Sequence, residues 1–510
     1  MPRHVSPPLS RRFVGIAPEA HEWPEESRVW PHLGLAYVGT VAKRCGYDVV
    51  LHDEWIQGQT SMEKLVGEGD VVGLSLVTTG IERGVELARS AKALGASYVI
   101  AGNDSAAFRD QQLLELPDAP IDAVFTSNSV VAVASFLRSI AMTSIEGLRI
   151  PHVAIRGHAY RLSNEPNSLA WQKENYRADD FFMVPDLSVF DRPYWELVWS
   201  AYRSQFGHKH RDAGSLRNAV ALLSHGCGRA AVGDACRYCS IGGVANFAMP
   251  DKNYIERTLD AYALFGISVF FNAADSAIEQ LELADALAQR GPVPSLVLYG
   301  RAQVITSRTL ARWQDAASER LLINCGMDSG DDSLLQKAVQ KAANTRGSRL
   351  EENRRALRAI RDAGEKFHLH YSVIFGSPGE TTDSCERTLA LIDESIDVLR
   401  HKQQLDIVES DRWWLNFGAA CAEIFRSYDY ADTLAQSVGR SISRADWKRE
   451  FALHADALVV PASCQEAWYR HFTDISLDIA DEYIEKVKRR MSNVPGAIIG
   501  RNFAFRKPSP

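Results

Sequence analysis

The sequence lacks any apolar run long enough to cross a bilayer, which takes about 20 consecutive apolar residues. The first residues are rich in arginine and proline and the apolar stretch behind them is short, so we expect no secretory signal. We therefore predict a cytoplasmic protein that makes no membrane contact.

An excess of positive charge is also missing. The chain has 57 Lys and Arg against 64 Asp and Glu, a formal net charge of −7. Proteins dedicated to nucleic acids need a basic surface to neutralise phosphates. This balance argues against a dedicated nucleic-acid partner, although it leaves open a local basic patch.

The cysteines do not form the pattern of a disulfide framework. Three of the eight are clustered, at Cys227, Cys236 and Cys239, and the others are scattered beside apolar residues. In a long chain without an export signal this pattern indicates a reducing compartment and one metal site.

No internal repeat or low-complexity tract is present, and 510 residues exceed the usual length of one domain. In residues 1–145, short apolar strands alternate with amphipathic helices, which predicts a doubly wound, Rossmann-like α/β domain. Such sheets bind ligands at the carboxyl ends of their strands. The turns Ser75–Thr79 and Ala101–Ser105 are therefore the informative ones.

A second α/β alternation occupies residues 218–398 and predicts a parallel (βα) partial barrel, whose active site lies at the carboxyl ends of its strands. Residues 146–217 are interpreted as a connector. Residues 399–510 are interpreted as a mainly helical region that covers the substrate. The predicted barrel strands are Ala219–Ser224, Ser268–Asn272, Ser295–Tyr299, Leu321–Asn324 and His368–Phe375.

The cysteine cluster directly follows the first of these strands. Its pattern is Cys227, eight residues, then Cys236-Arg237-Tyr238-Cys239, in a loop rich in small residues. Three thiolates leave one iron of a cubane iron–sulfur cluster without a protein ligand, as a reactive cluster requires. The alternative is a structural zinc site closed by His225 as fourth ligand.

This loop resembles the radical S-adenosylmethionine (SAM) superfamily, whose usual signature is Cys-x3-Cys-x2-Cys after the first barrel strand. The first gap is longer here. The resemblance implies a 4Fe-4S cluster on the three cysteines, and it places the aromatic Tyr238 against the adenine of SAM. Packing within the loop is the alternative role for this tyrosine.

Two later strand ends carry the same resemblance. Residues 323–330 resemble the family's Gly-Val-Glu-Ser-Gly segment and imply that Asp328 accepts hydrogen bonds from the ribose or the ammonium of SAM. An acidic residue near a helix start is the alternative. Residues 373–381 resemble its Gly-x-Pro-Gly-Glu-Thr turn and place Gly376 beside the adenine, although such a turn could be purely structural.

The second and third strand ends match the family less closely. The resemblance implies that Asn272 and Asp275 hold the methionyl amine of SAM, and that the Arg301 guanidinium binds the methionyl carboxylate. Arg301 could equally pair with a neighbouring carboxylate of the protein.

An α/β domain ahead of such a barrel resembles the cobalamin-binding branch of the superfamily. Here Ser75, Thr78 and Gly102 would admit the nucleotide tail of cobalamin. The Asp-x-His-x-x-Gly motif that supplies histidine to cobalt is absent, so bound cobalamin is expected to be base-off. The alternative is a degenerate domain that serves as a lid or dimer surface.

The resemblance implies an enzyme that cleaves SAM to a 5′-deoxyadenosyl radical, with flavodoxin or ferredoxin as electron donor. With cobalamin, it would methylate an unactivated carbon of a small molecule. Rearrangement, cyclisation or oxidation without methyl transfer is the alternative, and RNA methylthiotransfer is disfavoured because no basic C-terminal module is present. A non-catalytic metal-binding scaffold is the alternative from another class. No residue is assigned to catalysis from the sequence.

Overall fold

The computed structural model describes residues 11–20, 29–145, 148–157, 182–210, 212–227, 229, 235–240, 247–274, 277–339 and 347–498. These residues form two compact units. The first contains the described residues up to Val198 except 29–30. The second contains residues 29–30 and the described residues from Trp199 onward.

The N-terminal unit is built on a six-stranded sheet in the order β2-β1-β3-β4-β5-β6. The first five strands are parallel, and β6 runs antiparallel to β5. The strands are β1 Arg12–Ala17, β2 Asp48–Asp53, β3 Val71–Ser75, β4 Tyr98–Gly102, β5 Ala123–Phe125 and β6 Val153–Ile155.

Helices follow the strands of this unit as the apolar periodicity predicts. Helix α7 illustrates the reason, because it buries Phe136, Leu137 and Ile140 on one face against the sheet core. The helices are α1 Leu33–Arg44, α2 Glu54–Gln57, α3 Met62–Leu65, α4 Ile81–Ala93, α5 Asp104–Phe108, α6 Asp110–Leu114 and α7 Val130–Ile140.

The strand order 2-1-3-4-5 is that of a doubly wound, flavodoxin-like sheet, in which the winding reverses between β1 and β3. Ligands bind in such sheets at the carboxyl ends of the strands beside this reversal. Ser75, the last residue of β3, lies in register with Gly102, the last residue of β4. The two turns singled out in the sequence therefore lie side by side at that edge.

The second unit contains a six-stranded, fully parallel sheet in which each strand neighbours the next one along the chain. A separate two-stranded ribbon, β8 His225–Gly226 with β9 Phe247–Ala248, follows the first strand. The strands of the sheet are β7 Asn218–Ala221, β10 Val269–Asn272, β11 Val293–Arg301, β12 Ala317–Asp328, β13 Phe367–Phe375 and β14 Leu405–Arg412.

Right-handed crossovers that all run in one direction put the connecting helices on one face of this sheet, as in a barrel. Consecutive helices contact one another along that face. They are α9 Lys252–Leu264, α10 Leu281–Arg290, α11 Ser307–Trp313, α12 Arg349–Ala363 and α13 Thr382–Leu399. The opposite, concave face is called the inner face below.

Side chains on the inner face form layers. At the amino ends of the strands, buried Asp406 pairs with Arg320, with Lys209 at 2.9 Å and with His368 at 3.2 Å. The next layer is apolar and joins strands from across the sheet: Val269, Val297, Leu322 and Ile407. The inner face is therefore closed by charged residues at the amino ends of the strands and is apolar in the layer that follows.

Strand β14 extends the sheet beyond residue 398, into the region expected to be mainly helical. Strand β6 and helix α8, Arg192–Phe206, lie within the expected connector. The C-terminal helices are α14 Tyr428–Ser437, α15 Arg444–Glu450, α16 Ala462–Phe472 and α17 Leu477–Met491.

Across the described ranges, no helix combines the length and the apolar character that a membrane crossing would need.

Candidate active site

The cysteine loop starts at the carboxyl edge of the barrel sheet. The chain leaves β7 at Ala221, forms β8 and reaches Cys227 directly after it. Cys236 and Cys239 share one turn, in which the Cys239 backbone N–H donates to the Cys236 carbonyl at 3.1 Å. All eight cysteines are thiols, and these three are half-buried.

Arg229 lies in this loop. Burial and then the charge of Arg301 lower its pKa, whereas Cys236 and Cys227 act to raise it. In the part of the chain that the structure describes, however, no three His, Cys, Asp or Glu side chains are arranged to hold one metal ion. The three thiols thus share a loop and an edge of the sheet, and their role as ligands stays a prediction.

Backbone hydrogen bonds anchor the turn between the last two cysteines. The Arg237 N–H donates to the Val339 carbonyl, and the Arg237 carbonyl accepts from the Cys421 N–H, both at 3.1 Å. Buried backbone groups need such partners. The position of this turn is therefore tied to the segment after β12 and to a C-terminal segment.

Tyr238 and Asp328, which the sequence analysis placed separately against SAM, meet each other. The tyrosine hydroxyl donates to Asp328 Oδ1 at 3.0 Å. Burial, followed by the charge of Asp328, raises the pKa of Tyr238 well above its usual value. The Tyr238 ring also meets the edge of Trp413, with ring centroids 5.6 Å apart. The cysteine loop and the end of β12 are thereby joined.

The backbone at Asp328 is unusual for a residue with a side chain. Its φ is +62°, in the left-handed region, and its side chain is fully buried. Asp and Asn tolerate this region better than other residues, and such strain concentrates at functional sites. The conformation follows from its place at the irregular end of β12, where the register with β13 shifts.

Asn272 is buried at the end of β10, where it supports the start of the cysteine loop. Its Oδ1 accepts from the N–H groups of Leu223 at 3.2 Å and Ala274 at 3.4 Å. Its Nδ2 has no hydrogen-bond partner among the described residues. Asp275, the other residue predicted to hold the methionyl amine, lies outside those residues.

Arg301 ends β11 at the same edge and pairs with Glu279, with Nε 2.7 Å from Oε1. The sequence analysis left a neighbouring carboxylate open as its partner, and the structure contains that pair. Its contact with the carboxylate of SAM stays a prediction.

Gly376 follows β13 with φ +99°, and its surroundings are dense. Its N–H donates to Glu380, and its carbonyl accepts from Trp468 Nε1 at 2.9 Å. A Cβ at this position would overlap the Tyr469 ring. The turn therefore needs glycine for structural reasons, and its predicted place beside the adenine stays a prediction.

In the N-terminal unit, polar pairs join the ends of β3 and β4. Asn103 Nδ2 donates to Ser75 Oγ at 3.3 Å, and the hydroxyls of Thr78 and Ser105 lie 2.8 Å apart. Among the described residues, a Cβ added to Gly102 would meet only Phe125, at 3.8 Å, which is ordinary contact. All the residues predicted to bind cobalamin thus line one edge, with space at the glycine.

The sequence analysis missed a buried network in the same unit. The Tyr194 hydroxyl donates to Asp53 Oδ2 at 3.0 Å and accepts from the His32 backbone N–H at 3.1 Å. Burial lowers the pKa of the His32 ring to about 4. No local pattern could have found this network, because Tyr194 and Asp53 lie 141 residues apart in the sequence.

No family model and no curated protein matches the sequence. Solved structures do match the fold. TsrM from Kitasatospora setae, a radical SAM methyltransferase with cobalamin and a [4Fe-4S] cluster bound, superposes with a TM-score of 0.57 at 14% identity. The match covers 82% of this chain and 75% of TsrM. TsrM with tryptophan and a SAM analogue bound also scores 0.57, at 15% identity over 82% of this chain and 76% of TsrM.

This chain has the fold of the cobalamin-dependent radical SAM enzymes. OxsB, a cobalamin-dependent SAM radical enzyme with aqua-cobalamin and SAM bound, matches with a TM-score of 0.53 at 15% identity, over 78% of this chain and 53% of OxsB. The matches confirm the predicted fold class, a Rossmann-like domain of the cobalamin-binding type with a radical SAM partial barrel.

Proposed function

We propose that this chain is a cobalamin-dependent radical SAM enzyme, and that it methylates an unactivated carbon of a small molecule. The observation that carries the proposal is the combination of this fold over 82% of the chain with three thiols on the loop after the first barrel strand. A fold alone does not determine the reaction, and the thiols at the expected edge of the sheet provide the additional support.

The donor set fits a 4Fe-4S cluster. Cys227, Cys236 and Cys239 supply three thiols and leave one iron open for SAM. When bound, such a cluster supplies the electron that cleaves SAM. Tyr238 holds the Asp328 carboxylate in place by its hydrogen bond, and that carboxylate offers acceptors to the ribose or ammonium of SAM.

The N-terminal edge fits the tail of cobalamin. Gly102 leaves room for an incoming group, and the hydroxyls of Ser75 and Thr78 offer hydrogen bonds beside it. The sequence motif that supplies histidine to cobalt is missing, so we propose base-off binding. When bound, methylcobalamin supplies the methyl group.

Radical chemistry without methyl transfer is the second candidate. It is favoured by the likeness to OxsB, a cobalamin-dependent SAM radical enzyme that shares the fold. In either case we propose flavodoxin or ferredoxin as the electron donor and a small molecule as the substrate.

Anaerobic reconstitution with iron and sulfide tests the cluster. The protein should bind about four irons and form 5′-deoxyadenosine or S-adenosylhomocysteine from SAM under reduction. Cys227→Ala, Cys236→Ala and Cys239→Ala should each lose both properties. Cys45→Ala is the matched control, because Cys45 is also half-buried but lies outside the loop. Stoichiometric zinc in place of iron would refute the enzyme proposal.

Corrinoid uptake tests the methyltransferase part. Protein produced with hydroxocobalamin should show corrinoid absorbance. Gly102→Trp should abolish it by filling the edge while sparing the iron content, and Gly102→Ala should retain it because its Cβ fits. Wild-type protein that takes up no corrinoid would exclude cobalamin-dependent methylation and leave the second candidate.

A further inference from the structure

Three side chains form a row across neighbouring strands of the barrel sheet. Tyr299 on β11 is in register with Asn324 on β12, which is in register with His370 on β13. Tyr371, next to His370, reaches the helices, since its hydroxyl meets Ser395 of α13 at 2.6 Å. Strand side chains alternate between faces, so His370 lies on the inner face.

The other two members of the row lie on the same face. Tyr299 lies two residues after Val297, and Asn324 lies two residues after Leu322. Val297 and Leu322 both belong to the apolar inner layer. The row therefore forms the next layer toward the carboxyl edge, directly above the apolar one.

Glu409 of β14 borders this row. Ile407 is in register with His370, and Glu409 follows two residues later on the same face, with its Oε1 3.2 Å from His370 Nε2. Partial burial acts to raise the pKa of Glu409. The charge and the hydrogen bond of His370 outweigh this effect, so the pKa of Glu409 is lowered. The layer thus carries a carboxylate.

The layer borders open space. Tyr299 is 39% exposed, and the Glu409 side chain is 42% exposed, although both belong to the inner face. The next inner residue of β12 is Gly326, which adds no side chain to the wall above Asn324. On one side the wall is aromatic, because the rings of Phe271 and Tyr299 lie 5.5 Å apart.

The polar groups of the layer can accept hydrogen bonds from a bound molecule. Glu409 offers carboxylate oxygens, and Asn324 Oδ1 has no hydrogen-bond partner among the described residues. A buried acceptor without a partner is unfavourable, and a donor that enters from the carboxyl edge would satisfy it. An ammonium group also gains from the charge of Glu409.

We propose that Tyr299, Asn324, His370 and Glu409 form the floor of the substrate pocket, and that this pocket takes an aromatic amine. The ring would pack on Phe271 and Tyr299, and the ammonium group would point to Glu409. This inference rests on the proposed function, because it names the substrate class of the same barrel.

The spacing suits a small molecule. Asn324 and Asp328 are four residues apart on β12, or about 13 Å at the usual rise of a strand. A molecule the size of an aromatic amine bridges much of that distance. Its far end would therefore reach the edge where the cysteine loop and Asp328 lie.

Binding of 2-phenylethylamine and of 3-phenylpropionate to the full-length protein, measured by calorimetry with and without reconstitution, tests the proposal. The two probes have the same aromatic ring and opposite charges. We expect the amine to bind at least tenfold more tightly than the acid. Glu409→Gln should weaken amine binding about tenfold, the change that removal of a charged partner produces, and His370→Gln should weaken it less.

Glu450→Gln is the matched control. Glu450 is also paired with a histidine, His471, at 2.7 Å, but on the C-terminal helices. It should leave amine binding unchanged, and circular dichroism should show that each variant is folded. Failure of the amine to bind, equal binding of both probes, or equal effects of Glu409→Gln and Glu450→Gln would overturn the proposal. Iron content and SAM cleavage are read separately, so failure of the proposed function is distinguishable.

Discussion

Replacing Tyr238 by phenylalanine should destabilise the end of β12, because it removes the hydroxyl that donates to buried Asp328 at 3.0 Å. A hydrogen bond to a charged group contributes about 1.5–3 kcal/mol. Asp328→Asn is the suitable partner variant, because asparagine also tolerates the left-handed backbone at φ +62°. Together with the double variant, the two substitutions form a double-mutant cycle. We expect a coupling energy of about 1.5–3 kcal/mol.

The assay is urea unfolding followed by tryptophan fluorescence. Trp413 reports on this site, since its ring meets that of Tyr238 and stacks on Trp468 with centroids 5.4 Å apart. The curves should be fitted with two transitions, because the chain has two compact units. Leu264→Ala, at an exposed position, serves as the control. A coupling energy below about 0.5 kcal/mol would refute the reasoning, since it would equal that of independent sites.

Three further predictions concern stability, each read from the unfolding free energy. Gly376→Ala should cost about 2–5 kcal/mol, because the residue has a positive φ and its new Cβ would overlap a buried tyrosine. Gly364→Ala is the control and should cost clearly less, because Gly364 also has a positive φ but has space for a Cβ. Equal costs would contradict the overlap. Asp406→Asn should cost about 3–5 kcal/mol, because it leaves buried Arg320 without its counter-charge; a loss below about 1 kcal/mol would contradict this. Burial raises the pKa of Glu380 to about 7, so the protonated side chain stabilises the fold and this contribution is lost as pH rises from about 5 through 7. Glu380→Gln should flatten this decline in the unfolding free energy. An unchanged pH profile in the variant would contradict this role of Glu380.

The local pattern of the sequence was sufficient for the fold class. Strand and helix periodicity depend on neighbouring residues, so the order of elements in both α/β units could be predicted. Strand β14 was missed because its sequence, Leu405–Arg412, ends in charged residues and does not form a continuous apolar run. The strand-end motifs were also local, and right-handed crossovers bring such ends to one edge of a sheet.

Contacts between distant residues were decided only by the tertiary structure. Tyr238 and Asp328 are 90 residues apart, and their hydrogen bond depends on how the cysteine loop folds over the sheet. The sequence could suggest that Arg301 meets a carboxylate, but only packing selected Glu279. His370 and Glu409 carried no motif, and they meet because the irregular register between β13 and β14 brings Glu409 to the same face as His370. A sequence specifies residue types and their local period, whereas pairing across strands depends on register, and register is set by the packing of the whole sheet.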